Sequence, residues 1–387
     1  MVVEEWRGCY VDKDGVKKRA PDGERATGIF SHLQFAFQAG KSSTTPMTTT
    51  KAALQSALHE AAKYLSMTDA SKRVKEFLHL LFVDWQKMYD SVGYPGLQIA
   101  FRSRGMEPQH VALLMEVHYQ ATRYSLGPTG DSDLLVMQAC LAQGMPDACS
   151  SADIFLDPIA RILECFSLVM TCGAPIKGSC FADDATPLAK NREDLDEITT
   201  GIGQFSRFEN VSLEGSKSAY LCIAIDSGEG GVLRYKVFSP LRLTIFDRNT
   251  QQIKEVEVLQ AATTAEHRHL GVFYTSQGDA LPHMDQLGQR LYGRMYKVAH
   301  QKFTIAQIRV ASNSTIISLP LYGIAISDFG TRVAHQCDVT LRNLLKRAAH
   351  ECPADSGLYL YIDIKYGGGG VVSIVQEVLA AAARWCG

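Results

Sequence analysis

The sequence predicts an α+β fold, and three observations carry the prediction. Phe77 to Trp85 is a short run of large apolar residues ending near an aspartate, and it reads as a buried strand. Cys180-Phe181-Ala182-Asp183-Asp184 reads as a strand, a tight turn and a returning strand through Leu188. From Asp285 to Leu345 helical patterning dominates.

The other elements follow along the chain. Residues 1–30 are polar and charged, with turn signals at Asp14-Gly15 and Pro21-Asp22-Gly23. Gln38 to Thr50 is rich in Ser, Thr and Gly and reads as a loop. Leu54, Leu58, Ala61 and Leu65 share one helical face. Gly105 ends one helical stretch and Pro108 opens another, whose face is Val111, Leu114, Met115 and His118. Thr122 to Leu126 and Leu134 to Leu141 read as strands joined by the turn Gly127-Pro128-Thr129-Gly130. Ser150 and Ser151 can cap a helix with the apolar face Phe155, Ile159, Ile162, Leu163 and Phe166, in which Pro158 predicts a kink or a late start. Arg192 to Phe208 is helical by pattern and ends near Asn210, and short strands continue to about Tyr274.

With 387 residues the chain has room for two or three packed units. Hydrophobic residues make up 46% and charged residues 21%, which excludes disordered, collagen-like and coiled-coil classes. The longest nearly apolar run, Ile316 to Ile326, falls short of the roughly 20 residues of a membrane helix, and the acidic start Met1 to Trp6 leads into no apolar signal segment. Ten cysteines without a CxxC pair read as reduced, buried thiols. The net charge of −2 argues against a surface that is basic all over. It does not exclude a local one: Asp285 to Arg347 holds nine Lys/Arg against three Asp/Glu.

Two strand ends deliver acids: Asp84 ends the first, and Asp183 with Asp184 sits at the hairpin tip. Carboxylates gathered side by side repel and raise one another's pKa values, and divalent cations with hard oxygen ligands relieve that cost. Taken singly, each acid reads as a turn former or a helix cap.

In order along the chain, several segments resemble motifs of one family. Asp84-Trp-Gln-Lys-Met-Tyr89-Asp90 resembles the first catalytic motif of reverse transcriptases, in which an aromatic follows the aspartate five places on. Gln143-Gly144-Met145-Pro146 resembles the QG-x-P motif, and Phe181-Ala182-Asp183-Asp184 the F/Y-A-D-D box. Phe205 to Ser218 resembles the segment that carries a lysine, here Lys217, and His269-Leu270-Gly271 the following aromatic-Leu-Gly motif. Gln34 to Ser43 resembles Q-x-GF-x-x-x-[RK]S with Ala36 in place of the glycine, and Gly367 to Ile374 resembles a stretch found past the thumb in non-LTR (LINE-like) retrotransposon enzymes. The set spans about residues 34–375.

The resemblance implies a right-hand polymerase: partial fingers over 1–80, a palm with an antiparallel sheet over 81–275 with an inserted fingers segment at about 112–142, and a helical thumb with a C-terminal extension over 276–387. It implies RNA-directed DNA synthesis on an RNA template and a DNA primer, with dNTP as substrate and no membrane partner. Asp84 and Asp183 would bind two Mg²⁺ or Mn²⁺ ions, with Asp184 beside them; two such ions roughly 3.5–4 Å apart activate a 3′-oxygen and stabilise leaving pyrophosphate. Tyr89 would sit under the sugar and exclude a 2′-hydroxyl, Gln143 and Gly144 would line the nucleotide pocket, and Lys217 would approach the triphosphate. Arg290, Arg294, Lys297 and Lys302 would contact template–primer phosphates, with Arg309, Arg342, Lys346 and Arg347 as further cations. An endonuclease on a separate or missing segment and a nuclear location are further expectations of a retroelement. The sequence departs from the family in lacking an Arg-Pro-Ile-type motif in residues 1–33 and in placing Pro187 in the returning strand. Those departures support a second reading, a catalytically degenerate relic that binds nucleic acid without polymerising.

Overall fold

The computed structural model describes residues 9–11, 17–19, 31, 33–36, 41–66, 74–119, 122–123, 126–127, 130–131, 135–136, 139–142, 145, 147–166, 169–171, 174–227, 233–262, 264–277, 281–301, 303–319, 331–348, 358–366 and 370–386. By contact the chain divides into two compact units: residues 1–265 with 276–278, and residues 266–275 with 279–387.

The first unit opens with a small hairpin, β1 (Cys9–Val11) and β2 (Lys17–Arg19). Helix α1 (Thr44–Leu65) follows and packs on the central sheet. It begins earlier than its composition predicts, inside the segment read as a loop. Thr48 satisfies the local backbone by donating its hydroxyl to the Thr44 and Thr45 carbonyls, and Pro46 occupies the first turn, where a missing N–H costs nothing. Strand β3 (Lys75–Phe82) changes from exposed to buried along its length and spans the expected fingers–palm boundary at residue 80.

Short helix α2 (Met88–Ser91) leads to α3 (Tyr94–Ser103) and α4 (Pro108–Tyr119). Gly105, at φ +78°, makes the left-handed stop between them. The strands expected over 122–141 are two-residue pieces: β4 (Thr122–Arg123) pairs with β7 (Leu135–Val136), and β5 (Leu126–Gly127) pairs with β6 (Gly130–Asp131). Helix α5 (Ala148–Glu164) runs through Pro158 without ending. Buried His118 on α4 reaches Asp147 at its start (Nε2 to Oδ2, 3.0 Å).

The hairpin β8 (Val169–Thr171) and β9 (Ala174–Ile176) precedes the central one, β10 (Gly178–Phe181) and β11 (Asp184–Ala189). Helix α6 (Arg192–Glu209) starts on Asn191, whose side chain accepts from the Asp194 amide at 2.8 Å, and stops at Asn210 with φ 55°. Strands β12 (Ala219–Ser227) and β13 (Leu233–Tyr235) complete a five-stranded antiparallel sheet in the order β10-β11-β3-β12-β13. The ribbon β14 (Leu241–Asp247) and β15 (Gln252–Val258) packs against α6. One apolar core, including Leu81, Trp85, Leu97, Phe155, Phe205 and Ile245, joins these elements.

The second unit holds the hairpin β16 (His267–His269) and β17 (Val272–Tyr274), helices α7 (Leu281–Ala299), α8 (Ile305–Ala311), α9 (Thr331–Ala348) and α10 (Ile374–Cys386). Leu270 and Gly271, both at positive φ (48° and 78°), form the two-residue turn of that hairpin. The unit has its own core around Leu287, Leu291, Ile316, Leu341 and Ile374. Asp338 on α9 anchors the start of α10 by accepting from Ser373 Oγ (2.6 Å) and from the amides of Ile374 (2.8 Å) and Val375 (3.1 Å).

Candidate active site

The site begins where β3 runs out. Val83 donates its amide to the Ala185 carbonyl at 3.0 Å, which sets the end of β3 beside the start of β11. One residue on, the backbone of Asp84 is fixed from the other side. Its amide donates to Ser218 Oγ at 3.2 Å, and its carbonyl accepts from the Glu214 amide at 2.8 Å. The Asp84 side chain therefore leaves the sheet from a backbone held on both sides. Its nearest cation is Lys217, Nζ to Oδ2 3.9 Å, on an otherwise exposed lysine.

Asp183 arrives from the hairpin. Phe181 pairs with Asp184, so Ala182 and Asp183 are the two residues of the turn. Ala182 takes the left-handed conformation, φ 53°, that this turn demands at its first central position. Asp184 opens the returning strand. Ladder pairing between β11 and β3 lapses at Pro187 and resumes at Leu188–Leu80 and Ala189–His79, as expected where a strand residue lacks its N–H.

Electrostatics tie the two acids together. Burial raises the Asp84 carboxyl above its usual range; Lys217 opposes the shift, and Asp183 and Glu214 add to it. Burial likewise raises Asp183, opposed by a backbone hydrogen bond. Tyr89 stands in the same field: burial, then Cys149, Asp183 and Asp153, push its phenol up to about 12, and its hydroxyl bonds to Cys149. The Tyr89 carbonyl accepts from the Leu141 amide at 2.7 Å, so the chain at Leu141 is pinned at Tyr89. Gln143, Gly144 and Lys302 themselves lie outside the described residues.

Asp84, Tyr89, Asp183 and Lys217 thus come together from three separate segments, 84–89, the β10–β11 turn and 214–218. Two anionic oxygens groups pulled out of water, with one exposed ammonium near them, suit a hard divalent cation better than they suit each other. Among the described residues, no group of three or more His, Cys, Asp or Glu side chains is arranged to hold a metal ion. The fit to a cation is therefore carried by the Asp84–Asp183 pair rather than by a closed cluster that includes Asp184. Arg290, Arg294 and Lys297 lie exposed along α7 in the second unit.

Residues outside the expected set also border the site. Segment 33–35 pairs alongside β10: Cys180 donates to the Leu33 carbonyl at 2.8 Å, and Phe35 to the Cys180 carbonyl at 2.9 Å. Lys41 donates to the Gln34 carbonyl at 2.6 Å and lies 5.2 Å from the Phe35 ring centroid. Asp153, one turn beyond Cys149 on α5, is 1% exposed with neither carboxyl oxygen hydrogen-bonded. Burial pushes Asp153 up to about 7 against the pull of Lys41.

A family model described as reverse transcriptase (RNA-dependent DNA polymerase) matches residues 23–274. Among solved structures, telomerase from Candida tropicalis in complex with a TWJ fragment of telomeric RNA is similar at 14% identity and TM-score 0.33, over 84% of this chain and 51% of that one. Apo telomerase from Candida tropicalis is similar at 12% identity and TM-score 0.33, over 85% and 56%. Telomerase from Candida albicans with a TWJ fragment of telomeric RNA is similar at 9% identity and TM-score 0.34, over 80% and 52%. The chain spans about half the length of these structures. No curated protein matches it.

Proposed function

This chain belongs to the reverse transcriptase family, its fold is the α+β right-hand polymerase, and from that premise we propose that it is the RNA-directed DNA polymerase of a non-LTR retroelement. The observation that carries the reading is the meeting of Asp84 and Asp183, one at the end of β3 and one in the adjoining β10–β11 turn, with Lys217 at 3.9 Å from Asp84. In this reading the reaction joins a dNTP to a primer 3′-hydroxyl and releases pyrophosphate. Asp84 and Asp183 would hold Mg²⁺ or Mn²⁺, which when bound supplies Lewis-acid activation of the 3′-oxygen and neutralises charge on the leaving group.

The protein's own groups do the positioning. Raised by burial, the two carboxyls are costly to leave as bare anions, and a cation that pairs with them relieves that cost. Lys217, exposed and unconstrained apart from its approach to Asp84, is placed to meet charge developing on a triphosphate. Tyr89, kept neutral by burial and its neighbours, presents a rigid ring beside Asp183; a ring there excludes a ribose 2′-hydroxyl by steric contact. Gln143 and Gly144 would line the same pocket, and Arg290, Arg294, Lys297 and Lys302 would hold template and primer through phosphates. Residues 1–80, 81–275 and 276–387 would serve as partial fingers, palm and thumb. A nuclear location and an endonuclease supplied elsewhere belong to the same reading.

Primer extension on poly(rA)–oligo(dT) with Mg²⁺ or Mn²⁺ tests it. The wild type extends, and Asp183→Asn loses about a thousandfold or more, since a preorganised charged group at the reacting centre is worth at least that. Equal extension by both would overturn the assignment of the acids. The ladder gap at Pro187 favours the second reading, a degenerate relic; no extension by either protein, with salt-sensitive duplex binding retained, would establish it.

A further inference from the structure

Helix α7 has two faces with opposite fates. Leu287, Leu291, Met295 and Val298 recur every three or four residues and are at most 7% exposed, so this stripe builds the core of the second unit. Across the helix, Tyr292 is 56% exposed and Tyr296 48% exposed. They stand four residues apart, and His300, four further on, continues the row. The His300 ring is already stacked on Tyr296, with centroids 3.7 Å apart and planes at 29°, and its Nδ1 lies 2.8 Å from the Tyr296 carbonyl oxygen. A single exposed tyrosine needs no explanation; an ordered row of rings in water does.

Gly293 lies between the two tyrosines in sequence, in the middle of the helix. A side chain added there would meet nothing within 4 Å. Packing within the protein therefore gives no reason for a glycine, although glycine in a helix interior costs stability relative to alanine. What it leaves is a flat helix surface that another chain can approach closely. Arg290 and Lys297 lie beside Gly293 at helical spacing and are exposed. Arg294 lies further round the helix, where it donates to the Thr315 carbonyl at 2.5 Å. The one acid on α7, Asp285, lies seven residues before Tyr292, or about two turns away.

Aromatic rings in a row, a flat backbone and flanking cations are complementary to a strand with planar bases and a phosphate backbone. A lipid surface would call for large apolar side chains on this face, and the only large non-aromatic ones between Tyr292 and His300, Met295 and Val298, are buried. We propose that the Tyr292–Tyr296–His300 row, with Gly293 beside it, is a stacking platform for unpaired nucleotides. Bases stack on the rings while Arg290 and Lys297 neutralise the phosphates. The proposal rests on the polymerase reading for the nature of its partner, and it adds a preference for single strands that phosphate contacts alone do not give.

Fluorescence anisotropy of the full chain with labelled oligo(dT), and separately with a poly(rA)–oligo(dT) duplex, tests it without using activity. The double variant Tyr292→Ala, Tyr296→Ala should weaken oligo(dT) binding by about tenfold or more, while the duplex changes by less than about twofold, because stacking needs open bases. Tyr296→Phe should keep near wild-type affinity. Gly293→Ala should raise the melting temperature and yet weaken oligo(dT) binding several-fold, a combination that a purely structural glycine does not produce. Unchanged single-strand binding in the alanine variants, or equal losses on strand and duplex, would overturn the platform. Primer extension by the same proteins reports on the polymerase reading separately, so the two can fail independently.

Discussion

Helix α5 buries two carboxyls with opposite circumstances. Asp157 accepts from the Ser31 amide at 2.6 Å and from Arg161 Nε at 2.5 Å, with Arg104 also bonded to it. Asp153, one turn earlier, has no hydrogen bond to either oxygen and sits up near 7 because of burial. A carboxyl whose folded pKa exceeds its ordinary value of 3.8 favours the folded state only while protonated, so its contribution is lost as pH rises from about 4 through 7. Asn at 153 resembles the protonated form at every pH. Asp153→Asn is therefore expected to gain stability over wild type between pH 5 and pH 8, by on the order of 2–4 kcal/mol at roughly 1.4 kcal/mol per pKa unit. Urea denaturation at the two pH values checks it, and a pH-independent difference would refute it. That Asp84, Tyr89, Asp183 and Lys217 lie near one another was legible in the sequence, because ordered motifs carry residue type and spacing along the chain. Asp153 was not, because helical spacing puts it on the side of α5 away from Phe155 and Ile159, and only packing in the folded chain buries that side.

The β10–β11 hairpin shows what an element demands of its sequence. Gly178 sits at φ +130°, and a Cβ there would lie 2.6 Å from the Thr186 carbonyl oxygen, a backbone atom that cannot move aside cheaply. Both the dihedral and the contact penalise a side chain. Gly178→Ala is expected to destabilise the fold by about 2–4 kcal/mol, measured by urea denaturation, and to reduce primer extension because Asp183 rides on this turn. Ala182, at φ 53°, already holds the milder form of the strain, about 1–2 kcal/mol for an L residue. Ala182→Gly relieves that contact but frees the unfolded chain, so its stability should stay within about 1 kcal/mol of wild type. Elements like this hairpin were readable because their turn residues and apolar runs are local signals. The start of α1 at Thr44 was not, since a threonine-rich run with a proline composes like a loop and becomes a helix only through packing on the sheet. Likewise the unbroken course of α5 past Pro158 reflects buried packing on both sides of the proline, with Phe155 and Leu156 before it and Ile159 after.

Across the whole molecule the formal charges nearly cancel, at −2, yet positive charge is concentrated in residues 285–347 of the second unit. That unit has a separate apolar core, so its cations are set out on a scaffold that does not depend on the five-stranded sheet for its interior. Sequence patterning found the helical character of this region and its charge bias. It did not find that the hairpin His267–Tyr274 groups with the helices, because that membership comes from packing on the helix Leu281–Ala299, which patterning does not report. With so little net charge, duplex affinity at moderate salt has to come from local phosphate contacts rather than from a long-range field. Each neutralised phosphate contributes about −0.9 to the slope of log K against log salt. Replacing Arg290, Arg294 and Lys297 by glutamine should therefore lower the magnitude of that slope by up to about 3 on a template–primer duplex, equally for different base sequences. Affinities measured between about 50 and 200 mM salt decide it. An unchanged slope would move the phosphate contacts off α7, whereas a loss that varies with base sequence would mean that these side chains read base edges, which a template-independent grip does not allow.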